Sequence, residues 1–242
     1  MILADLFHDI SDVFFPPLCI SCQDVLPTKQ DKVFCRECLQ NIHYINQCHC
    51  PICGAIFPDS PAGDHLCGSC LDNKPHYIFA RAALAYEGII HDAIHQFKYG
   101  RNITHGEALA GLLADFNFPD MDWGQYDVIV PVPLHIERLR DRGFNQAVIL
   151  ARALGKKHGL NVDFSLLKRS KLTLTQTGLD KKERAINIKG AFVVPHPERL
   201  KEKKIILVDD VFTTGATINE CAKTLNKAGA KQVAAITLAR VL

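Results

Sequence analysis

The sequence is most tightly constrained near its carboxyl end, by a run of thirteen residues from position 205 to position 217. The first four of these residues, 205–208, are all aliphatic, which predicts a strand covered on both faces, as in a parallel sheet. Asp209 and Asp210 follow, and after them comes a loop of small and hydroxylated residues that leads into a helix. Because strands and helices also alternate along most of the chain after residue 126, the sequence predicts an α/β fold with a parallel sheet flanked by helices.

The loop of this run has the chemistry of a phosphate site. Ligands of parallel sheets bind beyond the carboxyl ends of the strands, and a loop that opens a helix presents unpaired backbone N–H groups there. Gly215 lets the backbone approach a ligand closely, and the threonine hydroxyls add donors. The residues predicted to bind the ligand are Val211, Phe212, Thr213, Thr214, Gly215, Ala216 and Thr217.

The two aspartates before the loop are the predicted catalytic residues. Asp209 and Asp210 are hydrogen-bond acceptors, so they suit the hydroxyl pair of a sugar rather than a phosphate. The run therefore predicts a site for a ribose 5-phosphate group, with its diol on the aspartates and its phosphate in the loop. The alternative is an ordinary strand followed by an Asp-rich turn and a Thr-capped helix.

A cationic element is predicted upstream, after a strand at 127–132. Arg138, Arg140 and Arg142 stand at alternate positions before a predicted helix at 146–157, and together they would form a cationic rim. Arginine suits bidentate contacts with phosphate, so the rim is a candidate anion site. A solvated charged loop is the alternative.

Eight of the ten cysteines form four Cys-x-x-Cys pairs within the first 70 residues. Each pair can chelate a tetrahedral ion, and two pairs complete a closed four-thiolate zinc site, which is structural because it has no open position. The predicted ligands are Cys19, Cys22, Cys35, Cys38, Cys50, Cys53, Cys67 and Cys70. The count predicts one or two zinc ions, and pairing in sequence order and cross-braced pairing of the first pair with the third both remain open. Cys48 or His49 could substitute as a ligand, and the pairs could instead be a redox motif or unpaired thiols of the core.

These features divide the chain into two predicted domains. Residues 1–75 would form an N-terminal helix and the zinc-binding module, and residues 76–242 would form the sheet domain. The apolar face of the N-terminal helix is expected to pack on the protein's own body, and it consists of Leu3, Leu6, Phe7, Ile10 and Phe14. Further strands are predicted at 77–86, 190–194 and 233–239, and further helices at 89–97, 108–116 and 217–227.

Charge and hydropathy restrict the location and the partners. The net charge of +2 is too small to imply a nucleic-acid partner by itself, but residues 168–204 contain eleven Lys and Arg against four Asp and Glu. The segment 168–189 is polar, basic and without clear periodicity, as a mobile lid would be, and a disordered basic surface loop is the alternative. No run of eighteen apolar residues and no export signal is seen, which predicts a cytoplasmic protein without a membrane span.

The run at 205–217 resembles the fingerprint for phosphoribosyl pyrophosphate (PRPP) of type I phosphoribosyltransferases. With the cysteine pairs it also resembles the ComF family. This second resemblance is further carried by Phe97-Lys98-Tyr99, by the Arg-Gly-Phe-Asn-Gln segment at 142–146, by the pattern of Gln176, Leu179 and Arg184, and by Asn187.

The resemblance implies a type I phosphoribosyltransferase-like domain and an N-terminal zinc module. It implies that Lys98, Arg184 and the arginine rim contact PRPP, and that Mg²⁺ bridges the diol and the pyrophosphate. It also implies a role in DNA uptake during natural transformation, with single-stranded DNA and a helicase-type competence protein as partners. An active phosphoribosyltransferase of nucleotide or amine metabolism is the alternative. Exposed aromatic rings for single-stranded DNA are sparse in the sequence, since only Tyr99 and Phe144 lie near basic residues.

Overall fold

The computed structural model describes residues 16, 18–26, 33–58, 61, 63–100, 103–171 and 181–242, without the side chains of 181, 182, 184 and 185. The predicted N-terminal helix, with Leu3, Leu6, Phe7, Ile10 and Phe14, lies outside the described residues. The described strands are β1 (Ala80–Ala85), β2 (Val128–Pro131), β3 (Lys168–Arg169), β4 (Phe192–Val193), β5 (Lys204–Phe212) and β6 (Gln232–Arg240). The described α-helices are α1 (Arg36–Gln40), α2 (Gly68–Asp72), α3 (Gly88–Tyr99), α4 (Ile103–Asp115), α5 (Ile136–Arg142), α6 (Gln146–His158), α7 (Lys181–Ile188) and α8 (Ala216–Lys227).

Four of these strands form a parallel sheet in the order β1-β6-β5-β2, which confirms the predicted fold class. On the β1 edge, Tyr44 forms an antiparallel bridge with Leu84, and on the β2 edge, Val162 forms a parallel bridge with Ile129. Both edges are thus covered by short extended segments, which protects their backbone groups from pairing with other chains.

Strand β5 is central and is buried on both faces, as its aliphatic run predicts. Ile206 and Val208 belong to a core shared with helices α3, α4 and α6, while Ile205 and Leu207 belong to a core shared with α8. The strand is longer than predicted, because pairing with β6 continues to Phe212 opposite Arg240. Both aspartates therefore lie within the strand rather than after it.

A strand does form within the predicted range 190–194, but it is shorter than predicted and lies outside the main sheet. Only Phe192–Val193 is extended, and it pairs antiparallel with β3 in a separate two-stranded sheet. The segment 168–189, which lacks clear periodicity, nevertheless contains helix α7 at residues 181–188. Residues 172–180 of that segment, with Gln176 and Leu179, lie outside the described residues.

The two halves of the cysteine-rich segment pack on opposite faces of the sheet. Cys19, Ile20 and Phe34 join the core on the α3 face, whereas Ile52 and Cys53 pack against the core on the α8 face. In the part of the chain that the structure describes, no helix has the length and apolar character needed to cross a bilayer.

Candidate functional site

The predicted aspartates lie side by side near the carboxyl end of β5. Both are partly buried, and the backbone N–H of Asp210 donates to Oδ1 of Asp209 at 2.9 Å. Burial and the adjacent Asp210 carboxylate raise the pKa of Asp209 to about 7. The strand thus holds two carboxyl groups whose natural partners are hydroxyl groups or cations.

Lys98, in the last turn of α3, is the cation that the structure places on this pair. Its Nζ lies 2.8 Å from Oδ2 of Asp210, and the two side chains are 19% and 13% exposed. Burial acts to lower the pKa of Lys98, but the Asp210 carboxylate outweighs it, so the pKa is raised and the side chain stays an ammonium. The structure therefore brings Asp209, Asp210 and Lys98 together.

The predicted phosphate loop is a true loop that opens a helix. Gly215 is the N-cap of α8 with φ 76°, and a Cβ added to it would lie 2.6 Å from Cζ of Phe212. Only glycine fits this left-handed and crowded position. Because the N-cap has no side chain, the first N–H groups of α8 receive no cap from it, which is the arrangement suited to an anion. The Ala216 N–H donates to Oγ1 of Thr214 at a long distance of 3.4 Å.

Val211 and Phe212 take part through packing rather than through polar groups. Val211 packs against the core on the α3 face, and Phe212 is buried in the core on the α8 face. Ala216 and Thr217 lie in the first turn of α8, which begins one residue earlier than the predicted helix.

The three arginines do not form the predicted loop rim, because residues 136–142 are helix α5. Residues two apart on a helix point in different directions and residues four apart share a face. Arg138 and Arg142 accordingly share a partly buried side, whereas Arg140 is exposed. Burial and the charge of Arg142 lower the pKa of Arg138, which places the two guanidinium groups near each other. The cationic element is therefore a pair of arginines, not three in a row.

The segment after Arg142 explains the Arg-Gly-Phe-Asn-Gln motif. Gly143 ends α5 with φ 83°, and Asn145 begins α6 by accepting from the Ala147 N–H at 3.1 Å. The amide of Asn145 also donates to the Val132 carbonyl at 3.0 Å, which ties the helix start to the end of β2. Arg142 donates to Oε1 of Gln146 at 3.1 Å.

Arg169 is a candidate site residue to which the sequence analysis assigned no role. Burial and the charge of Arg138 lower its pKa, although Cys221 and Asp209 act in the opposite direction, so the guanidinium interacts with Arg138 and with Asp209. It lies 5.6 Å over the Phe192 ring. The only sequence signal for it is the apolar pair Leu166 and Leu167, which predicts a buried start to the strand that carries it. For Arg184 the described backbone lies in α7, and nothing is described of its side chain.

The cysteines form two separate clusters in sequence order, so the cross-braced alternative was wrong. One cluster is Cys19, Cys22, Cys35 and Cys38, the other is Cys50, Cys53, Cys67 and Cys70, and in each the Sγ atoms lie within 4.8 Å of one another. The Sγ atoms of Cys22 and Cys35 are 3.7 Å apart, and those of Cys53 and Cys67 are 3.5 Å apart. Four thiolates at about 2.3 Å from a tetrahedral zinc would be about 3.8 Å apart, so both clusters fit zinc.

Within each cluster the pKa of one thiol is lowered, whereas burial raises the pKa of others, namely Cys38, Cys53 and Cys70. Burial acts to raise the pKa of Cys19 and of Cys50, but backbone N–H groups outweigh it and lower these values to about 7 and about 6. His49, the proposed substitute ligand, is turned elsewhere, since its ring nitrogens lie 3.0 Å from the Gln47 carbonyl and 3.3 Å from Asp120. Cys48 likewise takes no part in either cluster.

Comparison with known proteins gives matches over both parts of the chain. Residues 10–71 match the family model described as double zinc ribbon domain, and residues 102–242 match that described as phosphoribosyl transferase domain. Competence protein F of Haemophilus influenzae is 30% identical over 238 residues, covering 94% of this chain and 98% of that protein. DNA utilization protein YhgH of Escherichia coli (strain K12) is 32% identical, covering 80% and 84%. Competence protein ComFC of Streptococcus pneumoniae is 27% identical, covering 89% and 91%.

The clusters give a first prediction. Zinc analysis of the purified protein by plasma mass spectrometry is expected to find two ions per chain, and Cys50→Ser is expected to reduce this to about one, because three thiolates cannot close the second site. Cys48→Ser is the matched control and should retain two. Loss of zinc in the control, or two ions in Cys50→Ser, would show that the ligands are assigned wrongly.

The raised pKa of Asp209 gives a second prediction. The folded protein keeps the proton on Asp209 up to about pH 7, whereas the unfolded chain loses it near pH 4. This group therefore makes the free energy of unfolding fall as the pH rises from about 4 to about 7. Asp209→Asn is expected to remove that fall and to stabilise the protein by roughly 1–3 kcal/mol at pH 8 relative to its effect at pH 5.

The measurement is denaturant unfolding at both pH values. Asp210→Asn serves as the control of opposite sign, because it leaves the ammonium of Lys98 without its carboxylate and should destabilise at pH 8. Equal effects of Asp209→Asn at the two pH values would contradict the assignment.

Proposed function

The chain belongs to the ComF family, and on that premise we propose that it binds PRPP or a related ribose 5-phosphate ligand and handles single-stranded DNA in the cytoplasm during DNA uptake. The names of the relatives, which refer to competence and DNA utilization, support a role with DNA. The ligand and the DNA are supported by two different features of the structure.

The observation that carries the ligand proposal is the sequence of groups at the end of β5. Two carboxylates are followed within five residues by a glycine-capped helix start, and Lys98 lies on the second carboxylate. A ribose diol would donate to the carboxylates, its 5-phosphate would bind the N–H groups of α8, and Lys98 is close enough to contact an anionic substituent on the sugar. Arg169 adds positive charge near Asp209, and Arg138 interacts with both Arg169 and Arg142.

Mg²⁺ would enter this site with the ligand rather than on the protein alone. Within the described ranges, the groups of three or more side chains that could hold a metal ion are the two cysteine clusters. Mg²⁺ prefers oxygen ligands and is commonly held by one or two carboxylates together with substrate phosphates, which Asp209 or Asp210 could provide.

The observation that supports DNA is a row of aromatic rings on the exposed side of α3. His91, His95 and Tyr99 are exposed and spaced four residues apart, with ring centroids 6.4 Å and 4.7 Å apart along the row. Tyr86 extends the row at one end, 5.1 Å from His91, and the Arg142 guanidinium lies 5.3 Å over Tyr99 at the other. Rings next to cationic groups are what unpaired bases stack on.

The sequence had suggested Tyr99 and Phe144 for this role. Phe144 instead stacks on the fully buried Phe97 at 5.4 Å and packs against the core. The row on α3, which includes Tyr99 but not Phe144, is therefore the proposed surface for single-stranded DNA. A helicase-type competence protein remains an expectation from the family alone.

Turnover is the alternative to binding alone, and the match to the phosphoribosyl transferase family model favours it. In that case Asp209 and Asp210 would orient the ribose while positive charge develops at its anomeric carbon, and the arginines would stabilise the departing pyrophosphate. The acceptor would belong to nucleotide or amine metabolism.

The third prediction tests the ligand site. Calorimetric titration with PRPP and Mg²⁺ is expected to show binding that the double change Asp209→Ala and Asp210→Ala weakens at least a hundredfold, because both diol acceptors are lost. Asp115→Ala removes a carboxylate that is 75% exposed and should leave the affinity unchanged. Unchanged affinity of the double variant would refute the site. Pyrophosphate release with nucleobases or amines would establish the transferase alternative, and binding without release would favour the first proposal.

The fourth prediction tests the row of rings. Tyr99→Ala is expected to weaken binding of a fluorescent oligothymidylate about tenfold at fixed salt, since a stacked base contributes about 1–3 kcal/mol. Tyr99→Phe keeps the ring and should bind like the unchanged protein. Phe164→Ala is the matched control, because Phe164 is also exposed and also has an arginine, Arg152, over its ring at 5.2 Å. An equal loss in the control would assign the DNA to another surface.

A further inference from the structure

Arg240, the last residue of β6, is a buried arginine that connects the second cysteine cluster to the phosphate loop. It is 7% exposed, and its Nη1 donates to the Cys53 carbonyl at 2.8 Å. Its Nε is buried without a hydrogen-bond partner among the described residues. Burying a guanidinium with an unmet donor costs free energy, so its place calls for a compensating role.

The other side of the Arg240 guanidinium faces the ring of Phe212. The guanidinium carbon lies 5.2 Å from the ring centroid, and Tyr77 contacts the same ring edge-on, with centroids 6.4 Å apart. Phe212 is 5% exposed. The ring therefore contacts a buried tyrosine and a cation that is bound to the Cys50–Cys53 turn of the second cluster, called the cysteine knuckle below.

Phe212 in turn limits the position of the phosphate loop. Its ring lies where a side chain on Gly215 would be, so loop and ring are in direct contact. Gly215 is the N-cap that orients the first N–H groups of α8. A displacement of the ring would therefore change the direction of the groups proposed to bind phosphate.

The cysteine knuckle is itself fixed on the sheet. The Ala80 N–H donates to the Ile52 carbonyl at 2.7 Å, and a Cβ on Gly54 would lie 2.7 Å from the Ala80 carbonyl oxygen and 3.0 Å from Nη1 of Arg240. The knuckle backbone thus sits directly on the start of β1. Cys53 carries both the carbonyl that accepts from Arg240 and a thiol of the second cluster, so the cluster and the arginine meet at one residue.

We propose that Arg240 and Phe212 are positioning residues through which the zinc-filled second cluster holds the phosphate loop in its binding conformation. Binding of metal to the knuckle would then raise the affinity of a site to which it supplies no ligand. The identity of the phosphorylated ligand rests on the proposed function, but the coupling between knuckle and loop does not.

The variant that tests this coupling is Arg240→Met, which keeps the length of the side chain and removes its donors and charge. The affinity for PRPP is expected to fall about tenfold, a coupling of ordinary size, while zinc stays at two ions per chain. Arg240→Lys restores a donor and a cation and should recover most of the affinity.

Arg81→Met is the matched control. Arg81 also donates to the second knuckle, to the Pro51 carbonyl at 3.1 Å, but its guanidinium lies over Phe79 rather than Phe212. Its affinity for PRPP should stay within about twofold of the unchanged protein. An equal loss in both variants, or no loss in Arg240→Met, would overturn the proposal.

Hydrogen exchange without ligand separates this proposal from the proposed function. The amides of residues 213–217 are expected to exchange faster in Arg240→Met than in the unchanged protein or in Arg81→Met, whether or not PRPP binds. Unchanged exchange there would reject the coupling even if PRPP binding is found. If Arg240→Met does not fold, Phe212→Leu serves in its place, because it keeps an apolar side chain and removes the ring.

Discussion

The burial of strand β5 on both faces sets the conditions for every polar group at its end. Strands β6 and β2 flank β5, and a hydrophobic core covers each of its faces. The backbone that carries Asp209 and Asp210 is therefore held in place. Burial is the main cause of the raised pKa of Asp209, the adjacent Asp210 carboxylate adds to it, and Lys98 offsets the charge of Asp210. The fold thus holds two carboxyl groups and one ammonium group together in a partly buried place.

The two halves of the cysteine-rich segment pack against the two cores that cover the sheet. The first half of the module brings Cys19 and Ile20 under α3, and Gln96 of that helix donates to the Ile20 carbonyl at 3.0 Å. The second half meets β1 and Arg240 on the opposite face. A segment poor in apolar residues can do this because zinc coordination would replace the core that it lacks. Each half therefore supports an element that carries a site residue.

The sequence was sufficient for features that depend on local pattern and insufficient for those that depend on folding. The aliphatic run 205–208 and the spacing of the cysteines indicated the sheet, the phosphate loop and the two clusters. Helix α5, which carries the arginines, was missed because its start has only a weak signal, a cap from His135 at 3.4 Å. Gly143 marks where the helix ends but does not indicate where it begins. Arg169 is forty residues from Asp209, so only the fold brings them together. The row on α3 was present as a four-residue spacing, but histidines at exposed positions carry no distinctive signal.

The last turn of α3 is where the two proposed ligands meet. Lys98 points inward to Asp210, and the next residue, Tyr99, points outward beneath Arg142. A sugar hydroxyl that bonds to Asp210 would share that carboxylate with Lys98. The hydroxyl would therefore contact the same turn of α3 that carries Tyr99, the last ring of the row. Arg142 is the last residue of α5. Asn145, the N-cap of the next helix α6, is hydrogen-bonded to the end of β2. The proposed ligand site and the proposed stacking row would therefore share this junction, and a change within it is expected to affect both affinities.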